Sequence, residues 1–238
     1  MLDQRRKQLL DAMGIRRWVR RDLPAQALRE PDTENQADAV IHTPEVSLQE
    51  QPATEWEALR AQVAACEKCG LHTSRTQTVF GTGDRNADLL IIGEAPGADE
   101  DREGTPFVGR AGQLLDQMLL AAGFRRNQVY IANILKCRPP SNRNPAPDEI
   151  LACSGYLASQ IAMLEPKAIL AVGGVSATSL LETDLSVGKL RGEVHRYGES
   201  KIPLVVTYHP AYLLRKPAEK ARSWLDLQLL MRLLRDVA

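Results

Sequence analysis

Residues 88–93 read DLLIIG, a short apolar run that ends on a glycine. Three similar runs follow along the chain: VYIAN at 129–133, AILAV at 168–172 and PLVVT at 203–207. Helical patterns alternate with these runs, at 111–122, 147–164, 175–181 and 217–234. Short buried strands that alternate with helices are typical of a mostly parallel sheet with helices on both faces. The sequence therefore predicts an α/β fold.

The chain before this pattern differs from it in composition. Residues 1–23 carry seven Arg or Lys against three Asp, with apolar residues spaced as in a short amphipathic helix. Residues 24–54 are rich in Pro, Gln, Glu, Asp and Ala without apolar periodicity, which is typical of a disordered acidic linker. We therefore predict a basic arm at 1–23, a linker at 24–54 and one folded domain at 55–238. The arm is either a solvated extension without a role or a helix that docks a protein partner or touches nucleic acid.

Charge and hydropathy limit the class of protein. The 30 basic and 30 acidic residues cancel, and no run approaches the roughly 18 apolar residues that a membrane span needs. We expect a soluble, cytoplasmic monomer with no membrane partner. The predicted domain is only mildly basic, which suits contact with a few phosphates better than a surface that wraps nucleic acid.

The loops after the four strands are expected to hold the chemistry, because ligands of such sheets bind beyond the carboxyl ends of the strands. These loops lie at 94–110, 136–147, 173–174 and 208–217. The first of them is rich in glycine and acidic residues, yet it matches neither G-x-G-x-x-G nor the P-loop pattern. Its acidic residues would repel a diphosphate, whereas its glycines suit a backbone that approaches a flat base closely.

The four cysteines of the chain are candidates for a metal centre. Cys66 and Cys69 form a C-x2-C pair, Cys137 follows the second strand run and Cys153 is solitary. Four thiolates suit a tetrahedral zinc ion or an iron-sulfur cluster, and His72 lies near enough in sequence to replace one zinc ligand. One pair with two solitary cysteines resembles cluster ligation more than a zinc ribbon. A disulfide pairing is disfavoured by a reducing compartment.

The sequence from Cys66 to the last helix closely resembles the family 4 uracil-DNA glycosylases. The resemblance rests on several motifs: CEKC at 66–69, GEAPGADED at 93–101, PFVGRAGQLL at 106–115, NILKCRPPSNRNP at 133–145, Cys153 and HPAYLLR at 209–215. It implies a three-layer α/β/α sandwich of the uracil-DNA glycosylase superfamily. It also implies a [4Fe-4S] cluster on the four cysteines and excision of uracil from DNA, the first step of base excision repair.

Three residues at the matching positions suit recognition and release of a flipped uracil. Phe107 is expected to stack on the base, since a uracil inside a duplex must leave the stack to be reached. Asn133 ends the second strand run, where its amide can offer both a donor and an acceptor to the base edge. His209 is expected to donate a hydrogen bond to the uracil O2 as negative charge develops on the departing base.

Acidic residues of the first loop are candidates for the catalytic carboxylates. Glu94 is the first choice for positioning water or stabilising the sugar cation, and Glu100 is the second. Glu100 is also expected to help exclude the thymine methyl group. Ala95, which is expected to contact the base, replaces an Asp that handles the water in family 1 glycosylases.

Two groups of residues are predicted to touch DNA. Leu213 and Leu214 can form a wedge that fills the gap left by a flipped base, and Arg215 can touch phosphates. For either leucine the alternative is a first helical turn packed into the core. A second, basic group surrounds one cysteine and is expected to be ordered against DNA by the cluster: Lys136, Arg138 and Arg143.

We therefore predict a monofunctional glycosylase that leaves an abasic site. No lysine is placed by a motif as a Schiff-base nucleophile, so lyase chemistry is not expected. One alternative is a covalent uracil-DNA-binding relative, which carries a reactive His in the loop that here reads RPPSNRNPAPDE without His. Another alternative is a noncatalytic iron-sulfur DNA-binding accessory to a polymerase.

Overall fold

The structure is a computed structural model that describes residues 54–236. The predictions for the basic arm at 1–23, and for the linker at 24–54 except its last residue, therefore lie outside the described residues. Within the described part, no helix combines the length and the apolar character needed to cross a membrane.

A six-stranded sheet forms the centre of the domain. Its strands are β1 (Thr82–Gly83), β2 (Leu89–Gly93), β3 (Tyr130–Asn133), β4 (Ala168–Val172), β5 (Val194–Tyr197) and β6 (Ile202–Thr207). They lie in the order β1-β3-β2-β4-β6-β5. The four inner strands are parallel, and only the two edge strands pair antiparallel. The predicted α/β fold with a mostly parallel sheet is confirmed.

Helices pack against both faces of this sheet. They are α1 (Glu55–Ala64), α2 (Ala98–Glu103), α3 (Arg110–Ala122), α4 (Pro147–Leu164), α5 (Gly174–Leu181), α6 (Val187–Leu190), α7 (Pro210–Arg215) and α8 (Lys220–Asp236). Successive strand residues point to opposite faces. Leu90 and Ile92 of β2 thus pack with α1, α4 and α5, whereas Leu89 and Ile91 pack with α3 and α8. The strands are buried on both sides, which explains their continuous apolar sequence.

The end of the chain departs from the prediction. The helix expected at 217–234 begins instead at Lys220, after a 3-10 turn at Pro217–Glu219, and it runs to Asp236. The short helix α7 precedes that turn and ends because Lys216, which stands before a proline, has a non-helical backbone with φ −130° and ψ 72°. The two edge strands were also not predicted, since β1 has only two residues and β5 alternates exposed and half-buried side chains.

A buried ion pair fixes the end of β6. Asp226 of α8 is fully buried and accepts hydrogen bonds from Arg191 Nη2 at 2.8 Å and from Thr207 Oγ1 at 2.8 Å. Burial raises the pKa of the Asp226 carboxyl above its usual value, while the bonds from Thr207 and Arg191 oppose that rise. The pair therefore ties helix α8 to the last residue of β6, two residues before His209.

Shortening a central strand side chain should strongly destabilise this fold. Leu170 of β4 is 0% exposed, and Leu170→Ala should lower the free energy of unfolding by about 2–5 kcal/mol because it leaves a cavity. Leu225→Ala is the control, since Leu225 of α8 is 58% exposed and its truncation should change stability by less than about 0.5 kcal/mol. Urea denaturation measures both, and equal effects would contradict this core.

Candidate active site and cysteine cavity

A cleft of about 460 Å³ opens at the carboxyl ends of the parallel strands. Its walls come from the loops after β2, β3 and β6 and from the start of α7. Eight of the residues that line it were predicted as site residues: Glu94, Ala95, Glu100, Phe107, Asn133, Arg143, His209 and Arg215. The fold therefore brings together residues that lie more than a hundred positions apart in the sequence.

Asn133 and Phe107 meet above Gly93, the last residue of β2. A Cβ atom on Gly93 would lie 2.4 Å from Asn133 Oδ1 and 2.6 Å from Phe107 Cζ. Only glycine leaves room for both side chains here. The ring of His209 lies beside that of Phe107, with ring centroids 5.6 Å apart and planes tilted by 30°. The amide, the aromatic ring and the imidazole thus converge on one cleft.

The side chain of Asn133 carries an unused acceptor. Asn133 is 2% exposed, and its Oδ1 has no hydrogen-bond partner among the described residues. Buried acceptors are almost always paired in folded proteins, because an unpaired one loses its water without compensation. An unpaired amide oxygen on the wall of a cleft therefore indicates a ligand that donates a hydrogen bond there.

The loop that carries Phe107 is held by Glu100. One Glu100 carboxylate oxygen accepts from the backbone amides of Val108 at 3.0 Å and Gly109 at 3.2 Å. The other oxygen accepts from the amide of Gly97 at 3.0 Å. Phe107 itself has a left-handed backbone with φ 55°, which is costly for a residue other than glycine. Glu100 lines the cleft, and its contacts are those of a residue that positions Phe107.

His209 is set up as a neutral hydrogen-bond donor. Burial, and to a smaller extent the nearby Arg215 charge, lowers the pKa of its imidazole to about 4, against the opposing effect of the Glu100 carboxylate. Nδ1 accepts a hydrogen bond from the Ala211 amide at 3.1 Å. A neutral ring whose Nδ1 is an acceptor carries its proton on Nε2. The tautomer assigned in this way offers an Nε2–H donor.

Glu94 and Ala95 form the start of the first loop and both line the cleft. Burial raises the pKa of the Glu94 carboxyl above its usual value. The backbone oxygen of Glu94 accepts from the amide of Leu135 at 3.0 Å, which ties the loop after β2 to the segment after β3. Glu94 thus supplies a carboxylate to the cleft, whereas Ala95 supplies only a methyl group.

Two of the predicted DNA contacts are wrong. Leu213 is 0% exposed and packs in the core between the sheet and helices α3 and α8, so it cannot act as a surface wedge. Lys136 is 1% exposed, and its Nζ donates to the carbonyl oxygen of Asn133 at 3.0 Å and to Gln160 Oε1 at 2.6 Å. The basic motif around Cys137 did not reveal that this lysine points inward.

The other predicted DNA contacts lie at the surface. Leu214 is 37% exposed beside Arg215, which is exposed at the cleft. Arg143 is exposed and forms a two-point ion pair with Glu149, at 2.9 and 2.6 Å, which holds its guanidinium at the cleft. Arg138 is half-buried and donates from Nε to Asn142 Oδ1 at 2.8 Å.

The four cysteines line one cavity, which shares no lining residue with the cleft. Cys66 and Cys69 follow α1, Cys137 follows β3 and Cys153 lies in α4, and all four are free thiols. Burial raises the pKa of the Cys137 thiol, and it raises that of Cys153 to about 11. No group of three or more His, Cys, Asp or Glu side chains placed to hold a metal ion was found among residues 54–236.

Two N–H groups point at these sulfur atoms. Arg75 Nη1 donates to Cys137 Sγ at 3.2 Å, and the backbone amide of Lys136 donates to Cys153 Sγ at 3.3 Å. His72 instead hydrogen-bonds through Nδ1 to the carbonyl oxygen of Cys69 at 2.8 Å and does not line the cavity. Sequence reasoning missed Arg75, although it stands only six residues after the C-x2-C pair.

Comparison with known proteins agrees with this architecture. Residues 80–230 match the family model described as the uracil DNA glycosylase superfamily. The chain is 43% identical over 175 residues to a type-4 uracil-DNA glycosylase of Pyrobaculum aerophilum, covering 71% of this chain and 89% of that protein. Proteins of the same name from Archaeoglobus fulgidus and Thermotoga maritima are 42% and 40% identical. These matches cover 66% and 70% of this chain and 81% and 86% of the two relatives. The chain therefore belongs to the type-4 uracil-DNA glycosylases of the uracil DNA glycosylase superfamily.

Proposed function

We propose that this protein hydrolyses the N-glycosidic bond of deoxyuridine in DNA and leaves an abasic site. The observation that carries the proposal is the buried, unpaired Oδ1 of Asn133, which shares one cleft with Phe107 and His209. A flipped pyrimidine fits this arrangement because it offers a flat face, a polar edge and an oxygen that becomes anionic as it leaves.

Asn133 reads the edge of the base. Its Oδ1 accepts from the uracil N3–H and its Nδ2 donates to the uracil O4, which satisfies the amide. Cytosine presents an acceptor and a donor at these two positions, so it would leave both groups of the buried amide opposed to like groups. A site built in this way rejects the wrong base strongly, since the mismatch leaves desolvated polar groups unpaired.

Phe107 and the mouth of the cleft hold the extruded nucleotide. The Phe107 ring supplies a stacking face for uracil, and Ala95 closes the wall beside it. Arg143, Arg215 and Arg138 contact phosphates of the DNA, and Leu214 fills space beside the flipped base. Glu100 fixes the loop of Phe107 and crowds the position of the thymine methyl group.

His209 and Glu94 act on the breaking bond. As the C1′–N1 bond breaks, its electron pair stays on uracil and positive charge develops on the sugar. The Nε2–H of neutral His209 donates to the uracil O2 and stabilises that anion without transferring a proton. The carboxylate of Glu94 stabilises the sugar cation and orients the water that adds to C1′. It accepts the proton that this water loses, and the proton then passes to solvent or to the departed uracil anion.

The cysteine cavity suits a [4Fe-4S] cluster. Four free thiols converge on one cavity, and N–H groups of Arg75 and Lys136 point at two of the sulfur atoms, as they do around thiolate ligands. When bound, such a cluster would supply metal ions whose positive charge keeps the thiols deprotonated. It would also cross-link α1, α4 and the segment after β3. The cluster is structural and takes no part in hydrolysis. Protein that contains zinc without iron and sulfide would contradict this assignment.

Three parts of the interpretation stay predictions: a cytoplasmic location, a monomeric state, and a protein partner for the arm at 1–23. The proposed substrate does not depend on any of them, because every residue assigned to uracil lies in the described domain.

Oligonucleotides with a single uracil, thymine or cytosine test the proposed activity directly. We expect many turnovers on uracil, with a strand break only after alkali, and no product from the other two. A stable protein–DNA adduct, or no reaction with uracil, would contradict a hydrolytic glycosylase. Thymine release at a comparable rate would contradict the proposed pocket.

Asn133→Asp should replace the donor group of the base-reading amide by a second acceptor. We expect uracil excision to fall by about 100-fold or more, because the Nδ2 donor to the uracil O4 is lost. The ratio of cytosine to uracil excision should rise. Single-turnover rates on both substrates measure this. Asn127→Asp, at an exposed position outside the cleft, is the matched control and should retain the original rate. Unchanged uracil activity in Asn133→Asp would remove Asn133 from base recognition.

His209 should act in its neutral form. Because burial is the main cause of a pKa of about 4 for this imidazole, the neutral donor predominates at neutral pH and is lost as the pH falls through about 4. His209→Ala should lower the single-turnover rate by about 10²–10³-fold, as for loss of one donor to an anion. His209→Asn keeps a donor and serves as the paired variant.

The pH dependence of the rate separates the neutral from the charged form of His209. We expect the single-turnover rate of the original protein to show no change near pH 6.5 that is due to His209. The profile of His209→Asn should therefore match it in that range. A rate that falls as the pH rises through about 6.5 would mean that an imidazolium is required, which would overturn the neutral-donor mechanism.

A further inference from the structure

The segment from Asn133 to Cys137 joins the cleft to the cysteine cavity. Asn133 lines the cleft at one end, and Cys137 lines the cavity at the other. Backbone amides fix the segment between these points, since Ile134 donates to the carbonyl of Gly93 and the amide of Lys136 donates to Cys153 Sγ. A displacement of the cysteines would therefore displace Asn133, the residue that reads the base.

The side chain of Lys136 reinforces this connection. It is fully buried, and its ammonium folds back along the segment to donate to the carbonyl oxygen of Asn133 and to Gln160 Oε1. Gln160 of α4 in turn donates from Nε2 to the carbonyl of Phe80 at 3.0 Å. Three separate pieces of chain are thus held by one lysine and one glutamine.

The ammonium of Lys136 lacks a carboxylate partner in the described part of the chain. Its two acceptors are neutral oxygens, and a buried cation with neutral partners alone is costly. The negative group expected nearby is the cluster, because four thiolates outweigh the charge of its metal core. Arg75, which touches Cys137 Sγ, is a second cation at the same cavity.

We propose that Lys136 is a positioning residue that couples the cluster to base recognition: its ammonium balances the charge of the cysteine-bound cluster while it holds the backbone of Asn133 in place. This inference rests on the proposed cluster and on the proposed role of Asn133. It explains why a structural cluster lies one short segment away from the residue that reads the base. It also explains why a lysine inside a basic motif points inward.

Lys136→Met tests the coupling, because methionine has a similar length and no charge. We expect the visible absorbance of the cluster to bleach in air at least fivefold faster than in the original protein. The midpoint potential of the cluster should fall, since removal of a cation disfavours added negative charge. In freshly reconstituted protein with full iron content, kcat for uracil excision should fall at least tenfold with a smaller change in KM. Lys136→Arg keeps the charge and should restore part of both properties.

Lys167→Met is the matched control, since Lys167 is a partly exposed lysine whose ion pair with Asp88 lies at the surface. It should leave bleaching, potential and kcat unchanged. If Lys136→Met does not fold, Lys136→Met with Gln160→Leu replaces the whole polar pair by apolar side chains and carries the same expectations.

The outcomes separate the coupling from the proposed function. If the original protein does not excise uracil, the proposed function fails, while bleaching and potential still test the charge of Lys136 against the cluster. An iron-loaded Lys136→Met protein with the original bleaching rate and potential would overturn the inference. So would an iron-loaded variant with the original kcat, or an original protein that binds no iron.

Discussion

The base-binding cleft depends on the close approach of two side chains to the Cα of Gly93. Asn133 Oδ1 and the Phe107 ring both lie where a side chain on Gly93 would be, and β2 and β3 are adjacent parallel strands that end at the same level. The pairing of Gly93 with Asn133 in the sheet sets the position of the amide. The position of the ring is set by the positive φ of Phe107 and by the three hydrogen bonds that backbone amides of its loop donate to the Glu100 carboxylate. The side chains that recognise the base are therefore already held in place, and binding of the base orders little of the protein.

The end of β3 also connects the cysteine cavity to the base-reading residue Asn133. Only three residues separate Asn133 from Cys137, and this segment is held by backbone hydrogen bonds and by the side chain of Lys136. On the far side of the cleft, the Asp226 ion pair fixes the end of β6 before His209. Two buried charged groups, one on each side, therefore hold the polar residues of the cleft in place. Such groups stabilise little by themselves, and their use here is to fix geometry.

Most of the fold was predictable from the sequence, because the four inner strands are short apolar runs whose buried faces leave a simple pattern. The edge strand β5 was not, since only one of its faces packs and its sequence VHRY carries little apolar signal. The site residues Phe107, Asn133 and His209 could be named from motifs that resemble a known family. The side-chain directions of Leu213 and Lys136 could not, because the next residue after Leu213 is an exposed leucine and because lysines are almost always at the surface. Burial of a lysine depends on partners such as Gln160, which lies 24 residues away.

The central claim is that an amide, an aromatic ring and an imidazole bind one pyrimidine together. A crystal structure of the protein with free uracil tests it most directly. We expect uracil stacked on Phe107, with its N3–H on Asn133 Oδ1 and its O2 within hydrogen-bond distance of His209 Nε2. Uracil bound elsewhere, or an Asn133 amide that turns to a protein partner while the cleft stays empty, would contradict the account.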